Sequence, residues 1–227
     1  ARRSLKAMAA VLATGLALSL CIAFVPKKTT LDTVAKREKK ATEVTKLTNQ
    51  KLKEQKAKAK KTAKTSKSTM TDEERKLGYR FNNEELLKNV QMLLIGDSIT
   101  VDVTDYFYKV LPNSISDTKI GRSTLTGVKV FDEYQTQKKW DGDGVIFALG
   151  TNGPMYDTLG RIRQKVGDKP LFLTTVHAPK EDYESSNNEE IRKFVKEHEH
   201  TYLIDWYTAS ADHPEYFDQD DTHLLPK

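Results

Sequence analysis

Cysteine is nearly absent from this sequence of 227 residues, since Cys21 is the single one. A chain with one cysteine forms no intramolecular disulfide, which excludes a fold held together by such bridges. This composition fits a bacterial surface protein as readily as a cytosolic one. No group of His, Cys, Asp and Glu shows strong metal-ligand spacing either, so we expect no metal site.

Aromatic residues are missing from residues 27–69, a segment with 15 Lys and Arg against 4 Asp and Glu. This segment has a net charge of +11 and residues 1–6 have +3, whereas the whole chain has +5, so residues 70–227 carry −9. Surfaces that bind nucleic acid usually combine basic with aromatic side chains. Because these lysines come without aromatics and the rest of the chain is acidic, we do not expect nucleic-acid binding.

Charged residues are absent from residues 7–26, which read AMAAVLATGLALSLCIAFVP. Twenty uncharged residues are long enough to cross a bilayer as a helix. A cleaved signal peptide is the alternative, but its apolar region is usually about 7 to 15 residues long and ends in a small-residue cleavage site. We therefore expect an uncleaved membrane span at 7–26, with residues 1–6 as its cytoplasmic flank.

The lysine-rich residues 27–69 contain too little apolar surface to fold alone, so we expect a basic disordered linker. Leu31, Val34, Val44 and Leu47 would share one face of any transient helix within it. We interpret the linker as a solvated spacer. The alternative is a tether that lies on anionic lipid headgroups or wall polymers, to which lysines near a membrane are attracted.

Residues 70–227 are sufficient for one domain with a sizeable core. Short apolar runs alternate there with helical patterns, which predicts an α/β fold with a mostly parallel sheet covered by helices on both faces. The expected strands are 92–95, 116–120, 145–149, 170–176 and 201–206, and the expected helices are 101–111, 125–137, one opened by Pro154 and one around Ile191.

Small or polar residues follow four of these runs. GDS ends the first at Ser98, KIG ends the second at Gly121, GTNG follows the third and contains Asn152, and DDTH follows the last and ends in His223. The carboxyl ends of parallel strands meet at the sheet edge where ligands bind. We therefore expect these residues to converge, although a serine after a strand is often only a helix N-cap.

A serine, a histidine and an aspartate among these residues suit nucleophilic catalysis. The hydroxyl of Ser98 is a weak nucleophile until a base takes its proton, and an imidazole such as that of His223 is the usual base. Asp220 stands three residues before His223, a spacing that lets its carboxylate orient the ring. Asp221 could compete for that role, and the spacing favours Asp220.

The other two residues are candidates for an oxyanion hole. The backbone N–H groups of Ser98 and Gly121 and the side-chain amide of Asn152 would supply three donors to a tetrahedral intermediate. The alternative for GTNG is an ordinary turn between a strand and a helix, because Gly and Asn both tolerate positive φ.

These blocks resemble those of the SGNH/GDSL hydrolase superfamily, with Ser98 in GDSIT, Gly121 in KIGRS, Asn152 in GTNG, and Asp220 and His223 in DDTH. Each block is short, but their common order along the chain makes the resemblance specific. It implies a three-layer α/β/α fold of the flavodoxin-like type. It also implies a serine acyltransferase or esterase that needs no cofactor or metal.

Within that superfamily, the expected span, the linker and GTNGP resemble most the extracytoplasmic C-terminal domain of Gram-positive peptidoglycan O-acetyltransferases. The resemblance implies acetylation of the C6 hydroxyl of N-acetylmuramic acid in peptidoglycan glycan strands. An N-terminal membrane acyltransferase domain would deliver the acetyl group to a catalytic domain outside the cell membrane. Since only one span is visible and the family's closing helix would follow Lys227, both ends of the chain are expected to be truncated.

Two other functions fit the same residues. A cell-surface esterase would use them to remove O-acetyl groups from glycans, with water as the acceptor. A non-catalytic domain that anchors to the wall would keep the fold alone, but the presence of Ser98, Asp220 and His223 disfavours it.

Overall fold

A five-stranded parallel sheet organises the domain. The computed structural model describes residues 31–62 and 87–225 of the chain. The strand order is β2-β1-β3-β4-β5, and every pair of neighbours is parallel. The predicted parallel α/β fold is therefore confirmed. The strands are β1 (Met92–Gly96), β2 (Ile115–Thr118), β3 (Gly144–Ala148), β4 (Leu171–Thr174) and β5 (Thr201–Ile204).

Helices cover both faces of this sheet. Helices α3, α4 and α5 pack on one face, and α2 packs on the other. The bounds are α1 (Leu31–Thr62), α2 (Ser98–Val110), α3 (Thr124–Thr136), α4 (Thr158–Val166), α5 (Glu184–Glu197) and α6 (Trp206–Ser210), followed by a 3-10 turn over Pro214–Tyr216.

Strand β1 is buried along its whole length because it lies between β2 and β3 and has helices on both faces. Leu93 and Ile95 point into the core beneath α3, α4 and α5, whereas Met92 and Leu94 join the core beneath α2. This alternation is that of a strand covered on both sides, where a continuous apolar run is needed. The carboxyl end of β1 is thus flanked by the ends of β2 and β3.

The prediction of a disordered linker over 27–69 is wrong for residues 31–62, which form helix α1. Its buried residues are Thr33, Arg37, Val44 and Thr48, which recur at intervals of four and seven along one face. This face packs against α2 and β2. Most of the stability of a helix in a protein comes from such tertiary contacts, which composition does not reveal.

The apolar face expected for this segment is only partly correct. Val44 is 4% exposed, but Val34 is 52% exposed. Polar contacts hold much of the docked face instead. The Nζ of Lys51 donates to the carbonyl of Pro112 (2.5 Å), and the Nε2 of Gln55 donates to the carbonyl of Asn113 (2.8 Å).

The membrane span expected at 7–26 lies outside the described residues. Within residues 31–62 and 87–225, no helix combines the length and apolar character needed to cross a bilayer.

Strand β2 ends two residues earlier than predicted because the chain turns against the end of β1. The N–H of Lys119 donates to the carbonyl of Gly96 (3.1 Å), and the N–H of Arg122 donates to the carbonyl of Lys119 (3.2 Å). These two bonds place Gly121 in a turn beside the end of β1.

Pro154 does not open a helix, contrary to the prediction. The side chain of Asn187 accepts from the N–H of Met155 (3.0 Å) and donates to the carbonyls of Gly150 (2.9 Å) and Gly153 (3.0 Å). These bonds hold residues 150–155 as a loop, so that α4 begins only at Thr158.

Replacing Gly96 by alanine should destabilise the domain. An added Cβ would lie 2.1 Å from Oγ1 and 2.7 Å from Cβ of Thr100, so the first turn of α2 would have to move away from β1. Overpacking of this kind costs about 1–3 kcal/mol. Urea unfolding of Gly96→Ala measures the loss, and Gly160→Ala is the control because its Cβ would meet nothing within 4 Å. Equal stability of the two variants would contradict the close packing.

Candidate active site

Ser98 is the first residue of helix α2, directly after β1, and it is 1% exposed. Asp97 caps this helix, since its side chain accepts from the N–H of Ile99 (3.1 Å). The N–H groups in the first turn of a helix have no partner within the helix and carry its positive dipole end. Ser98 therefore lies at the positive end of the helix dipole, which favours a developing negative charge there.

The structure brings Ser98, His223 and Asp220 together. The Nε2 of His223 lies 2.9 Å from the Oγ of Ser98, and its Nδ1 lies 2.6 Å from Oδ2 of Asp220. Both distances are those of hydrogen bonds. Carboxylate, imidazole and hydroxyl thus form one continuous chain of the kind that serine nucleophiles require.

The segment from Phe217 to Leu224 holds the imidazole in this place. The N–H of Asp218 donates to the carbonyl of His223 (2.7 Å), and Phe217 pairs with Leu224 in an antiparallel bridge. Phe217 and Leu224 are buried against Val103 of α2 and against Trp206. The same contacts therefore close the segment and attach it to the helix that begins with Ser98.

Asp220, not Asp221, orients the ring. The Oδ1 of Asp220 accepts from the N–H groups of Thr222 (3.0 Å) and His223 (2.9 Å), while Oδ2 faces the imidazole. Burial raises the pKa of Asp220, but these hydrogen bonds outweigh it and hold that pKa below its usual range. Asp221 instead has a positive φ of 57° and pairs with Lys180 at 3.1 Å.

Gly121 lies in the turn that follows β2 and has a φ of +70°. No atom comes within 4 Å of the place a Cβ would occupy, so the backbone there is open to an approaching group. The neighbouring Arg122 fixes the turn, because its Nη1 donates to the carbonyl of Gly96 (3.1 Å) and its Nη2 donates to Oδ1 of Asp117 (2.6 Å). This arginine, 5% exposed, was not predicted as a site residue.

Asn152 lies in the exposed loop after β3 and connects to the nucleophile through Asp97. Its Nδ2 donates to Oδ2 of Asp97 at 3.3 Å, which orients the amide toward the start of α2. The side-chain amide of Asn187 fixes this loop by donating to the carbonyls of Gly150 and Gly153. The sequence analysis predicts neither Asp97 nor Asn187 as a site residue. The position of Asp97 directly before Ser98 could have indicated that it belongs to the site.

Asp97 is a buried carboxylate, and no lysine or arginine within residues 31–62 and 87–225 forms an ion pair with it. Burial raises its pKa to about 6, and the bond from the N–H of Ile99 is the largest effect that opposes the rise. A carboxylate that titrates near neutral pH beside a nucleophile is typical of functional sites. Among residues 31–62 and 87–225, no group of three or more His, Cys, Asp and Glu is placed to hold a metal ion.

Two curated bacterial proteins that are similar in sequence to this chain illustrate its relationships. O-acetyltransferase OatA of Staphylococcus aureus (strain NCTC 8325 / PS 47) is 35% identical over 144 residues, which are 63% of this chain and 24% of that protein. YrhL of Bacillus subtilis (strain 168) is 30% identical over 138 residues, 60% of this chain and 22% of that protein. No family model matches the chain.

Among solved structures, the C-terminal catalytic domain of Streptococcus pneumoniae peptidoglycan O-acetyltransferase A (OatA) has the same fold. The TM-score is 0.56 at 20% identity, over 61% of this chain and 82% of that domain. The chain is therefore homologous to OatA and YrhL, and the resemblance seen in the sequence is confirmed. The chain spans about a quarter of the length of the curated relatives it matches.

Replacing Asp97 by asparagine should change how stability depends on pH. The carboxyl has a pKa of about 6 when folded and an ordinary value of 3.8, so the folded state binds the proton more tightly. Its contribution to stability is present below about pH 4 and is lost as the pH rises through 6. Asp97→Asn removes this loss and keeps an acceptor for the helix cap.

From pH 4 to pH 8, the free energy of unfolding of Asp97→Asn should therefore rise by about 2–3 kcal/mol relative to the unchanged protein. Urea unfolding at several pH values measures the difference. Asp157→Asn, which makes the same substitution at an exposed helix N-terminus, is the matched control. A flat difference for Asp97→Asn would show that the carboxyl titrates normally.

Proposed function

We propose that this protein is an O-acetyltransferase that moves an acetyl group, through acetyl-Ser98, to the C6 hydroxyl of N-acetylmuramic acid in peptidoglycan. The observation that carries the proposal is the continuous hydrogen-bonded chain from Ser98 through His223 to Asp220. Such a chain activates a serine for acyl transfer in general. Homology to OatA and YrhL supports acetyl as the group, and the name of the Streptococcus pneumoniae structure supports peptidoglycan as the acceptor.

In the first half of the reaction, Ser98 takes the acetyl group from an ester donor. The Nε2 of His223 accepts the hydroxyl proton while Oγ bonds to the acetyl carbonyl carbon. The carbonyl oxygen becomes an oxyanion, for which the N–H groups of Ser98 and Gly121 and the amide of Asn152 are the proposed donors. When the intermediate collapses, the bond to the donor oxygen breaks and that oxygen takes the proton from His223.

In the second half, the C6 hydroxyl of N-acetylmuramic acid replaces the donor alcohol. His223 accepts its proton as the oxygen attacks acetyl-Ser98, and the same donors stabilise the second intermediate. The bond from Oγ to the acetyl carbon then breaks, and Ser98 recovers its proton from His223. Asp220 stabilises the imidazolium in both halves because its carboxylate lies 2.6 Å from Nδ1.

The proposed partners follow from the same homology. The acetyl group would come from an N-terminal membrane acyltransferase domain, and the acceptor would be a peptidoglycan glycan strand outside the cell. Residues 7–26 would anchor the protein in the cell membrane. These partners belong to the whole protein, of which the matched residues are about a quarter in OatA and YrhL.

Incubation of the protein with an activated acetyl ester, with and without muropeptide oligomers, tests this function. We expect acetylated glycan, detected by mass spectrometry, and acetate release that falls when glycan competes with water. Release of acetate at a rate indifferent to glycan would instead identify an esterase. The absence of any turnover would mean that the domain is not catalytic.

Replacing Ser98 by alanine should abolish both transfer and hydrolysis, because no other hydroxyl lies against Nε2 of His223 in the described structure. Ser185→Ala, on the exposed start of α5, is the matched control and should leave the rate unchanged. Thermal unfolding checks that both variants fold. Turnover retained in Ser98→Ala would refute the assignment.

Replacing Asn152 by alanine should lower kcat by about 10² or more with little change in KM, because the amide is proposed to act on the oxyanion. Steady-state kinetics with the activated ester separate the two constants. Asn113→Ala is the control, because this exposed asparagine donates to the carbonyl of Lys88 and follows the C-terminal end of α2, whereas Ser98 is at its start. An unchanged kcat in Asn152→Ala would remove this residue from the oxyanion hole.

A further inference from the structure

Arg37 is the one arginine among the 15 basic residues of the segment 27–69, and it is buried. Its side chain is 8% exposed on the face of α1 that packs against the domain. The Nε donates to both carboxylate oxygens of Asp102, at 2.9 Å and 3.1 Å. The Nη2 donates to the main-chain carbonyl of Leu224 at 3.2 Å. One guanidinium thus bonds to two separate parts of the domain.

Each of the two partners stands next to a member of the candidate active site. Asp102 follows Ser98 by four residues, which places it one turn further along α2. Leu224 directly follows His223 and is fully buried. The side chain of Arg37 therefore joins the helix that carries the nucleophile to the segment that carries the base.

The ion pair between Arg37 and Asp102 is buried, so each charge depends on the other for its stability. Burial raises the pKa of Asp102, and the charge of Arg37 is the largest effect that opposes the rise. Lys40, one turn along α1, reinforces the contact because its Nζ donates to the carbonyl of Asp102 (2.7 Å) and pairs with Asp105 (3.0 Å). A buried charge that is left without its partner is strongly unfavourable, so the two helices are tied at this point.

We infer that Arg37 is a positioning residue. From helix α1, it keeps the Oγ of Ser98 and the Nε2 of His223 within hydrogen-bond distance of each other. Helix α1 is then part of the catalytic unit. The inference rests on the proposed function, since it assigns to Arg37 an effect on the Ser98–His223 pair. An arginine suits this role because its planar fork donates in two directions at once, whereas a lysine is a single point charge.

Three variants of the full chain test the inference. Arg37→Met removes both contacts, and Arg37→Lys keeps a charge for Asp102 but lacks the second arm toward the carbonyl of Leu224. Lys51→Met is the matched control, because it makes the same kind of change on the same docked face of α1 at a contact with Pro112. The measurements are kcat and KM for hydrolysis of an activated acetyl ester per folded molecule, and the melting temperature.

We expect kcat of Arg37→Met to fall by about tenfold or more with KM nearly unchanged, since small misplacements of catalytic groups have effects of this order. Arg37→Lys should fold and show an intermediate kcat. Lys51→Met should lower the melting temperature without lowering kcat. A purely structural role would lower the melting temperature in all three variants and leave kcat per folded molecule unchanged.

The inference is overturned if Arg37→Met keeps its kcat, if Arg37→Lys is as active as the unchanged protein, or if Lys51→Met loses kcat equally. These outcomes differ from failure of the proposed function. If the proposed function fails, the unchanged protein shows no turnover, or Ser98→Ala retains turnover, or acetate release is indifferent to glycan, whatever residue stands at position 37.

Discussion

The hydrogen bond between the Oγ of Ser98 and the Nε2 of His223 joins two parts of the chain that are 125 residues apart. Nothing local to either residue brings them together. The contact depends on the packing of the last described segment onto α2, where Phe217 and Leu224 are buried against Val103 and Trp206. A hydrophobic cluster, together with the contacts proposed for Arg37, therefore sets the geometry of this polar contact.

The proposed oxyanion donors depend on the carbonyl of Gly96 at the end of β1. This oxygen accepts from the N–H of Lys119 and from Nη1 of Arg122, so the turn with Gly121 is tied to the strand that precedes Ser98. Asp97 makes the equivalent connection to Asn152. The three proposed oxyanion donors are therefore either part of residues 96–98 or connected to them by hydrogen bonds.

Much of this arrangement follows from the sequence because its signals are local. A buried parallel strand requires an unbroken apolar run, and LLIG at 93–96 and VIFALG at 145–150 meet that requirement. The fold then sends every carboxyl end to one edge, so the residues that follow the runs had to converge. The prediction of Ser98, Gly121, Asn152 and His223 as site residues rests on this convergence, because each stands directly after a strand or near the end of the chain.

What the sequence did not reveal depends on burial. Asp97 and Arg122 have charged side chains that composition places at the surface, and their roles arise because the fold encloses them at 1% and 5% exposure. Helix α1 was missed for the same reason. Its docked face is built from Thr33, Arg37 and Thr48 with Val44, and a polar face of this kind carries no hydrophobic pattern that would predict docking.

The order of contacts along α1 affects how far the domain would lie from the membrane in the proposed function. Arg37, near the start of α1, contacts Asp102 and Leu224, whereas Lys51 and Gln55 contact Pro112 and Asn113, just past the C-terminal end of α2. Residue 37 follows the expected membrane span at 7–26 by eleven residues, of which 31–36 are helical.

Helical residues advance 1.5 Å each and extended ones at most about 3.6 Å, so this stretch reaches about 30 Å at most. A flexible linker of 43 residues would have allowed the catalytic domain to diffuse far from the bilayer. Docking of α1 removes that freedom. With residues 7–26 as the proposed anchor, docking would keep Arg37, and with it the first turns of α2 at Asp102, within about 30 Å of the membrane face where the proposed donor domain releases its acetyl group.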